Sequence, residues 1–497
     1  MKLTPRRYLL SPICYLPTAI CFLLSAICCL AQPQQAWVAR YNGGFTNKVH
    51  TPLAMKLDSA GNIYVAGSSQ NASNFYDYVV LKYAPNGTPF YATRYNSTNG
   101  VNFMANGFAL DPNGNSYVTG TGGTVKVSTN GVVAWVAPYA GNDVAVDTNG
   151  NVYVTGFSTT EYATAKLDGS GSNLWTRTYV GVAGPDNPVS VSQKVAVDNS
   201  GNVFVAGWAD YVGFSYPGQT YLNYYSHPVI ITYDSLGNAV WTNAYEGNGS
   251  QGWGQTDGLV PDNEGNVYVT GDSGRAYVVK INATGQTGWQ YYVGSPPPLV
   301  TGMTLDMSGN IYVAGGAYLG LKLSSTSGQK VWGAYQYTSS FGSGNGIALD
   351  NSANVFVVAD STTTGFATIK YDTNGNQQWV IRYNGPANGN DGATAIAVAP
   401  DGSIYVTGYS ANASGGSDIT TIKYANLTSI QKKNDGSIQL QASGIPSQSY
   451  NFQATTDLLN WINLGSALAD TNGNFGFLDT NAPLFSHRFY RWNFSAP

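Results

Sequence analysis

The sequence predicts an all-β chain: a β-propeller of four-stranded blades followed by a small β-sandwich. Three observations carry this. The stretch DTNGNVYVTG, residues 147–156, recurs in five further close copies and two looser ones. Fixed spacings tie each copy to three neighbouring strands. The repeat then stops, and short strands of a different pattern fill about the last seventy residues.

The N-terminus comes first. A basic head (Lys2, Arg6, Arg7) leads into an apolar run from Tyr8 to Leu30, with Cys29, Leu30 and Ala31 before Gln32. That pattern predicts a secretory signal peptide, residues 1–31, cut after Ala31. An uncleaved anchor is the alternative for a run this long; Pro12 and Pro17 argue against it. Ile27 ahead of Cys28 argues against a lipoprotein. All four cysteines (Cys14, Cys21, Cys28, Cys29) lie in this leader, so the mature chain is expected to hold neither disulfides nor cysteine metal sites. Without Lys2, Arg6 and Arg7 it carries 20 basic against 27 acidic residues, a net charge of −7. Nucleic-acid binding needs a basic stripe, and none is visible.

The repeat region, residues 35–426, divides into strands a to d. Strand a is short, apolar and ends in Asp: Asp58, Asp111, Asp147, Asp198, Asp262, Asp306 and Asp350, with Ala399 in the eighth copy. Strand b is the recurring stretch, and its last residue falls nine after the Asp position in all eight copies. Its successive apolar residues, as in Ile63-Tyr64-Val65, predict burial on both faces. Strand c centres on Lys82, Lys126, Lys166, Thr232, Lys280, Lys322, Lys370 or Lys423. Strand d carries Tyr91, Trp135, Trp175, Trp241, Trp289, Trp332 or Trp379, and a Gly precedes each by four residues. The a–b and c–d links are therefore tight hairpins with left-handed Gly or Asn. Small four-stranded units covered on both sides are propeller blades. The eighth unit lacks strand d, whereas WVARY (Trp37–Tyr41) supplies one at the other end of the chain. Residues 36–42 are thus expected to close an eight-bladed ring and remove two sheet edges.

The D-x-x-G-N-x-Y-V-x-G core with its K-Y and W-x-x-x-Y strands resembles the bacterial SBBP β-propeller repeat family and, more distantly, NHL-type repeats. That resemblance implies seven blades, the alternative count, an extracytoplasmic place, and no shared catalytic residues. Residues 428–497 read as a β-sandwich. YNFQATTDLLNWINLG and HRFYRW resemble a C-terminal module of secreted proteins from Verrucomicrobia-type bacteria, which implies a spacer or surface-attachment role.

Few residues suggest chemistry. Asp-x-Asn-Gly-Asn at Asp147, Asp372 and, in the second domain, Asp470 looks like part of a calcium loop but lacks the closing carboxylate; an Asp capping a β-turn explains it better. The repeated Lys is expected to pack its stem between blades. His50 and His227 fall in variable loops, and no catalytic motif includes them or His487. Glu161, Asp186, Asp210, Glu246, Asp257, Asp272 and Asp391 lie in or beside variable loops, which keeps a secreted carbohydrate-active enzyme as the alternative function. The preferred expectation is a monomeric, non-enzymatic binding or scaffold protein without cofactor or metal, secreted, periplasmic or at the surface of a bacterium. Its partner would be a glycan or a cell-surface protein. The variable b–c and d–a loops share one face of the ring, where recognition usually resides. The longest b–c loop, residues 208–228, and the next d–a loop place Trp208, Tyr211, Phe214, Tyr216, Tyr221, Tyr224, Tyr225 and Trp253 there as amphipathic binding aromatics.

Overall fold

A computed structural model describes residues 33–96, 100–156, 158, 160–181, 189–212, 224–244, 255–272, 276–294, 300–315, 318–335, 341–361, 365–425, 429–457, 459–471 and 473–494. The expected leader lies outside them. Among the described residues no helix is long and apolar enough to cross a membrane.

The described strands form eight four-stranded antiparallel sheets and two three-stranded ones. In chain order the four-stranded sheets span residues 50–95, 105–137, 143–179, 190–244, 255–294, 300–335, 341–383 and 391–425; they are numbered 1 to 8. The a strands touch their successors from sheet 1 through sheet 8, and His50–Leu57 of sheet 1 touches Asp391–Val398 of sheet 8. A closed circuit of innermost strands is a propeller's geometry. Strand b is buried on both faces as its composition demands: Ile63, Tyr64 and Val65 are all 0% exposed.

Seven of the eight a–b turns are built around the Asp that ends strand a. In sheet 2, Asp111 Oδ1 accepts the backbone N–H groups of Asn113 (3.0 Å) and Asn115 (2.8 Å). Its Oδ2 accepts the Asn115 amide (2.7 Å) and the Tyr117 hydroxyl (3.0 Å). Four donors on one carboxylate make it a turn cap, and burial together with that carboxylate raises the Tyr117 pKa, keeping the phenol a donor.

Adjacent sheets are joined by a latch that explains both the strand-d aromatic and the Gly four residues before the next one. The Trp135 ring lies over Gly171 in the c–d turn of sheet 3, and its indole N–H donates to the Gly169 carbonyl (3.1 Å). A Cβ at Gly171 would meet the ring at 2.8 Å, and the residue has φ +86°. Gly is therefore needed twice over, for backbone conformation and for contact. Trp175, Trp241, Trp289 and Trp332 repeat both contacts on the sheet that follows; Tyr91 repeats the ring contact on Gly131. The Lys of strand c reinforces the latch: Lys126 places its ammonium 5.4 Å from the Tyr117 ring and donates to the same Gly169 carbonyl (3.0 Å).

Closure follows the displaced strand. Gln34–Tyr41 pairs antiparallel with Ser417–Ala425 as strand d of sheet 8. Trp37, 2% exposed, covers Gly87 of sheet 1 and donates to the Pro85 carbonyl (3.1 Å), making the latch across the seam. Arg40 pairs with Asp418 (2.9 Å) and donates to Tyr383 of sheet 7 (3.2 Å). The C-terminal region forms two three-stranded sheets, and both sheets contribute to one apolar core, with Leu440 and Phe475 from one and Tyr450, Phe452 and Trp492 from the other. That core is continuous with Ala36 and Trp37, and the Tyr450 hydroxyl donates to the Ala36 carbonyl (3.0 Å). The sandwich is thus packed on the closing strand.

Deleting residues 36–42 should lower the thermal midpoint sharply and promote association through the bared edge of Ser417–Ala425. Trp37→Ala should cost roughly 3–5 kcal/mol in denaturant unfolding, as buried Trp truncations do. An unchanged midpoint in the deletion variant refutes closure by this strand.

Candidate functional site: the loop face and the inner strands

The a–b and c–d turns occupy one face of the ring and the b–c and d–a connections the other. In sheet 4, strands b and c run on as Val203–Val212 and Tyr224–Tyr233, ten residues each, beyond the four to eight of strand b elsewhere. Trp208 pairs with Pro228, Tyr211 with Tyr225 and Val212 with Tyr224. This corrects the expected loop 208–228, whose two ends are strand. WADYV and YYSHP are rich in aromatic and β-branched residues, which favour cross-strand pairing over open loop.

Of the eight expected binding aromatics, the structure brings Trp208, Tyr211, Tyr224 and Tyr225 into this one hairpin. Trp208 is half-buried; the side chains of the other three, and all of Phe214, Tyr216, Tyr221 and Trp253, lie outside the described residues. The histidines also differ from expectation. His50 opens strand a and is 0% exposed, bonded to Ser69 Oγ (2.7 Å) and the Phe45 carbonyl (3.1 Å), edge-on to Tyr41. Burial lowers its pKa, which keeps it neutral. His227 lies in strand c of sheet 4.

Among the carboxylates, Asp391 is an anchor, accepting the N–H groups of Gly385 (2.6 Å) and Ala411 (2.9 Å). Glu161 is half-buried; Asp186 and Glu246, and the side chain of Asp210, lie outside the described residues. Asp257 and Asp272 fall on paired strands of sheet 5. Among the described residues no group of three or more His, Cys, Asp or Glu converges as a metal site would.

Asp257 belongs to a feature that the sequence did not disclose. Nearly every strand a carries a bulge at one point, and the extra residue reaches to the next sheet. Asn106 donates to the Gly141 carbonyl (3.3 Å), Asn142 to that of Ser192 (3.0 Å), and Gln193 accepts the Thr256 N–H (2.7 Å). Thr301 donates to the Gly344 carbonyl and Asn345 to that of Ala393. These bonds form a belt around the inner wall. At Asp257 the belt residue is a carboxylate, set beside the Val300 N–H of sheet 6. Burial pushes its pKa up to about 6; Lys194 pulls it down and Asp272 pushes it up. Asp143, near Lys194 and Lys56 of the inner wall, is likewise raised by burial, and Lys56 is lowered although its side chain reaches water. Lys56, Asp143, Lys194 and Asp257 all sit on or at the a strands, the inner wall of the ring.

Residues 139–161 match the family described as SBBP, a beta-propeller repeat. BamB from Moraxella catarrhalis is similar at 14% identity, over 79% of this chain and 100% of that one, with a TM-score of 0.47. The Dos1 propeller is similar at 9% identity, over 80% and 95% of the two chains, with a TM-score of 0.54. No curated protein matches the sequence. At such identities the likeness speaks to fold alone, and the fold is a β-propeller.

The raised Asp257 predicts a pH dependence. An unfolded Asp titrates near 3.9, so between about pH 4 and pH 6 the folded chain holds a proton that the unfolded chain has released. Stability contributed by that proton is therefore lost as pH rises through the window. Asp257→Asn keeps an acceptor for Val300 and removes the charge. Its thermal midpoint should exceed wild type at about pH 7.5 and match it near pH 4; an equal gain at both pH values excludes titration of Asp257 as the cause.

Proposed function

We propose that this is an exported, non-enzymatic binding or scaffold protein, an eight-bladed propeller over residues 35–426 with an appended sandwich over 428–497. It recognises a glycan or a cell-surface partner through its loop face. The observation that carries the reading is the extended hairpin of sheet 4, which concentrates Trp208, Tyr211, Tyr224 and Tyr225 on two paired strands. Tyr and Trp offer flat contact area with a polar handle and little side-chain entropy to lose, which suits sugar rings and protein surfaces alike. The leader supports export, and a low share of charged residues, 10%, suits a neutral partner. The sandwich, fixed on the closing strand, acts as a rigid spacer or attachment module, and the chain works as a monomer.

One observation favours a second reading. Asp257, with a pKa pushed up to about 6 beside Asp272, has the property of a general acid. In that case the protein is a carbohydrate-active enzyme whose cleft opens at the inner wall.

Binding to a glycan array, compared between wild type and the double variant Trp208→Ala, Trp253→Ala, tests the first reading. Wild type should bind a restricted glycan set and the double variant should lose it. Silence from both refutes the glycan version, and unchanged binding by the variant refutes the hairpin. Glycan turnover abolished by Asp257→Asn establishes the enzyme instead.

A further inference from the structure

The sandwich meets the propeller where Tyr450 bonds to Ala36, at the tight-turn end of the closing strand, so its own surface is separate from the loop face. Its sheet of Ser449–Thr455, Ile462–Leu468 and Phe489–Phe494 turns Tyr450, Phe452 and Trp492 into the core. Side chains alternate across a strand, so the residues between these form the opposite face. There Gln453 stands between Asn463 and Arg491, and Asn451 between Ser466 and Asn493. No carboxylate belongs to this row.

Two arginines three residues apart have opposite surroundings. Arg488, its side chain 6% exposed, is paired with Asp479 (2.8 Å). Arg491 has no ion pair among the described residues. Its Nε donates to Gln453 Oε1 (2.7 Å), and its guanidinium carbon lies 4.1 Å from the centre of the Trp461 ring. Burial lowers its pKa, and no carboxylate among the described residues acts to raise it. One hydrogen bond and one ring thus hold the guanidinium plane, and both terminal nitrogens are left for a bidentate partner. Neighbouring donors are spare as well. The amide oxygens of Gln453 and Asn463 accept from Arg491 and from the Gly465 N–H (3.3 Å), which leaves their N–H groups to donate elsewhere. Arg491 and Gln453 are half-buried and Asn463 is exposed, so a ligand can reach all three. Residues 428–497 hold four Lys or Arg against four Asp and no Glu, so the domain is neutral and does not repel an anion.

We propose that this face of the sandwich binds an acidic polysaccharide, a chain of uronic acids, with Arg491 anchoring a sugar carboxylate. The guanidinium fork takes the two carboxylate oxygens. Gln453 and Asn463 donate to neighbouring sugar oxygens, and Trp461, half-buried beside the fork, adds flat contact area with an indole donor. One guanidinium balances one carboxylate; a doubly charged phosphate would call for a second cation, and none stands in the row. The site gives the proposed attachment role of the sandwich a chemistry and rests on nothing in the sheet 4 hairpin.

Calorimetry with trigalacturonate on the full chain tests this. Wild type should bind saturably and more weakly as salt rises, and the trimethyl ester, the same sugar without its charges, should not bind. Arg491→Gln should weaken binding about tenfold or more, as loss of a charge-assisted pair does. Arg491→Lys, which keeps the charge and loses the fork, should weaken it several-fold. Asn463→Ala, an exposed change that spares the Arg491–Trp461 stack, should weaken it a few-fold and keeps the test valid where an Arg491 variant fails to fold. Trp208→Ala with Trp253→Ala should leave it unchanged, which separates this site from the loop face. Failure of trigalacturonate to saturate, equal binding of the ester, undiminished binding in Arg491→Gln or Asn463→Ala, or loss of binding in the Trp208, Trp253 variant overturns the proposal. So does a triglutamate peptide that binds as tightly as the uronate.

Discussion

The ring depends on one contact, repeated: a strand-d aromatic laid over a left-handed glycine in the c–d turn of the following sheet. A four-stranded sheet of this size cannot bury both its faces alone. The latch lets each sheet bury one face on its neighbour at a fixed offset, because ring, glycine and indole hydrogen bond agree on a single placement. Lys126, Lys166 and Lys423, each over its cross-strand Tyr, add a second bond to the same turn carbonyl. On the inner side, Asn142 and the bulge residues Asn106, Gln193, Thr301 and Asn345 hold consecutive a strands together. Two polar belts thus bracket most of the apolar interfaces between sheets.

A latch that points only forward along the chain leaves one seam to be closed by the ends. Trp37 does this, reaching sheet 1 from a strand that belongs to sheet 8. The partners of Arg40 lie more than 340 residues away, among them Asp418 at a separation of 378. Such a contact pays its loop-closure entropy before it returns any stabilisation, which argues for a ring that closes late in folding. The sandwich then covers the closing strand through Tyr450 and Trp492. A protein without cysteines in its described portion gains by packing what a disulfide across the seam would otherwise supply.

Much of this was legible because the repeat turns physical requirements into periodic residues. Asp111 and its counterparts, the glycines ahead of each aromatic, the doubly buried strand b and the displaced WVARY all recur at fixed spacing, so strand order and closure could be read directly. The belt could not be read. Its position accepts any side chain with a donor or acceptor of suitable length, so Asn, Gln, Thr and Asp alternate there and no motif survives. For the same reason Asp257 looked like one more loop carboxylate. His50 resembled a loop residue until its partners Ser69 and Phe45 placed it at the head of a strand. The candidate binding face was legible only as a location, since the length of the 208–228 insertion pointed to it and its aromatics suggested contact. Their arrangement depends on long-range packing that no local pattern encodes.

The central claim, that the aromatic latch rather than turn geometry alone makes these glycines indispensable, has a direct test. Gly171 and Gly150 both lie in tight turns of sheet 3 with positive φ, +86° and +81°, but only Gly171 is covered by a ring; Gly150 has nothing within 4 Å of an added Cβ. Replacing each by Ala carries a similar backbone cost, about 1 kcal/mol. Denaturant unfolding of Gly171→Ala, Gly150→Ala and the pair Gly171→Ala, Trp135→Ala separates the two effects. The latch predicts a loss at Gly171 well beyond that at Gly150, and a double variant less destabilised than the sum of its parts. Equal losses at the two glycines, with additive behaviour in the double variant, would contradict it.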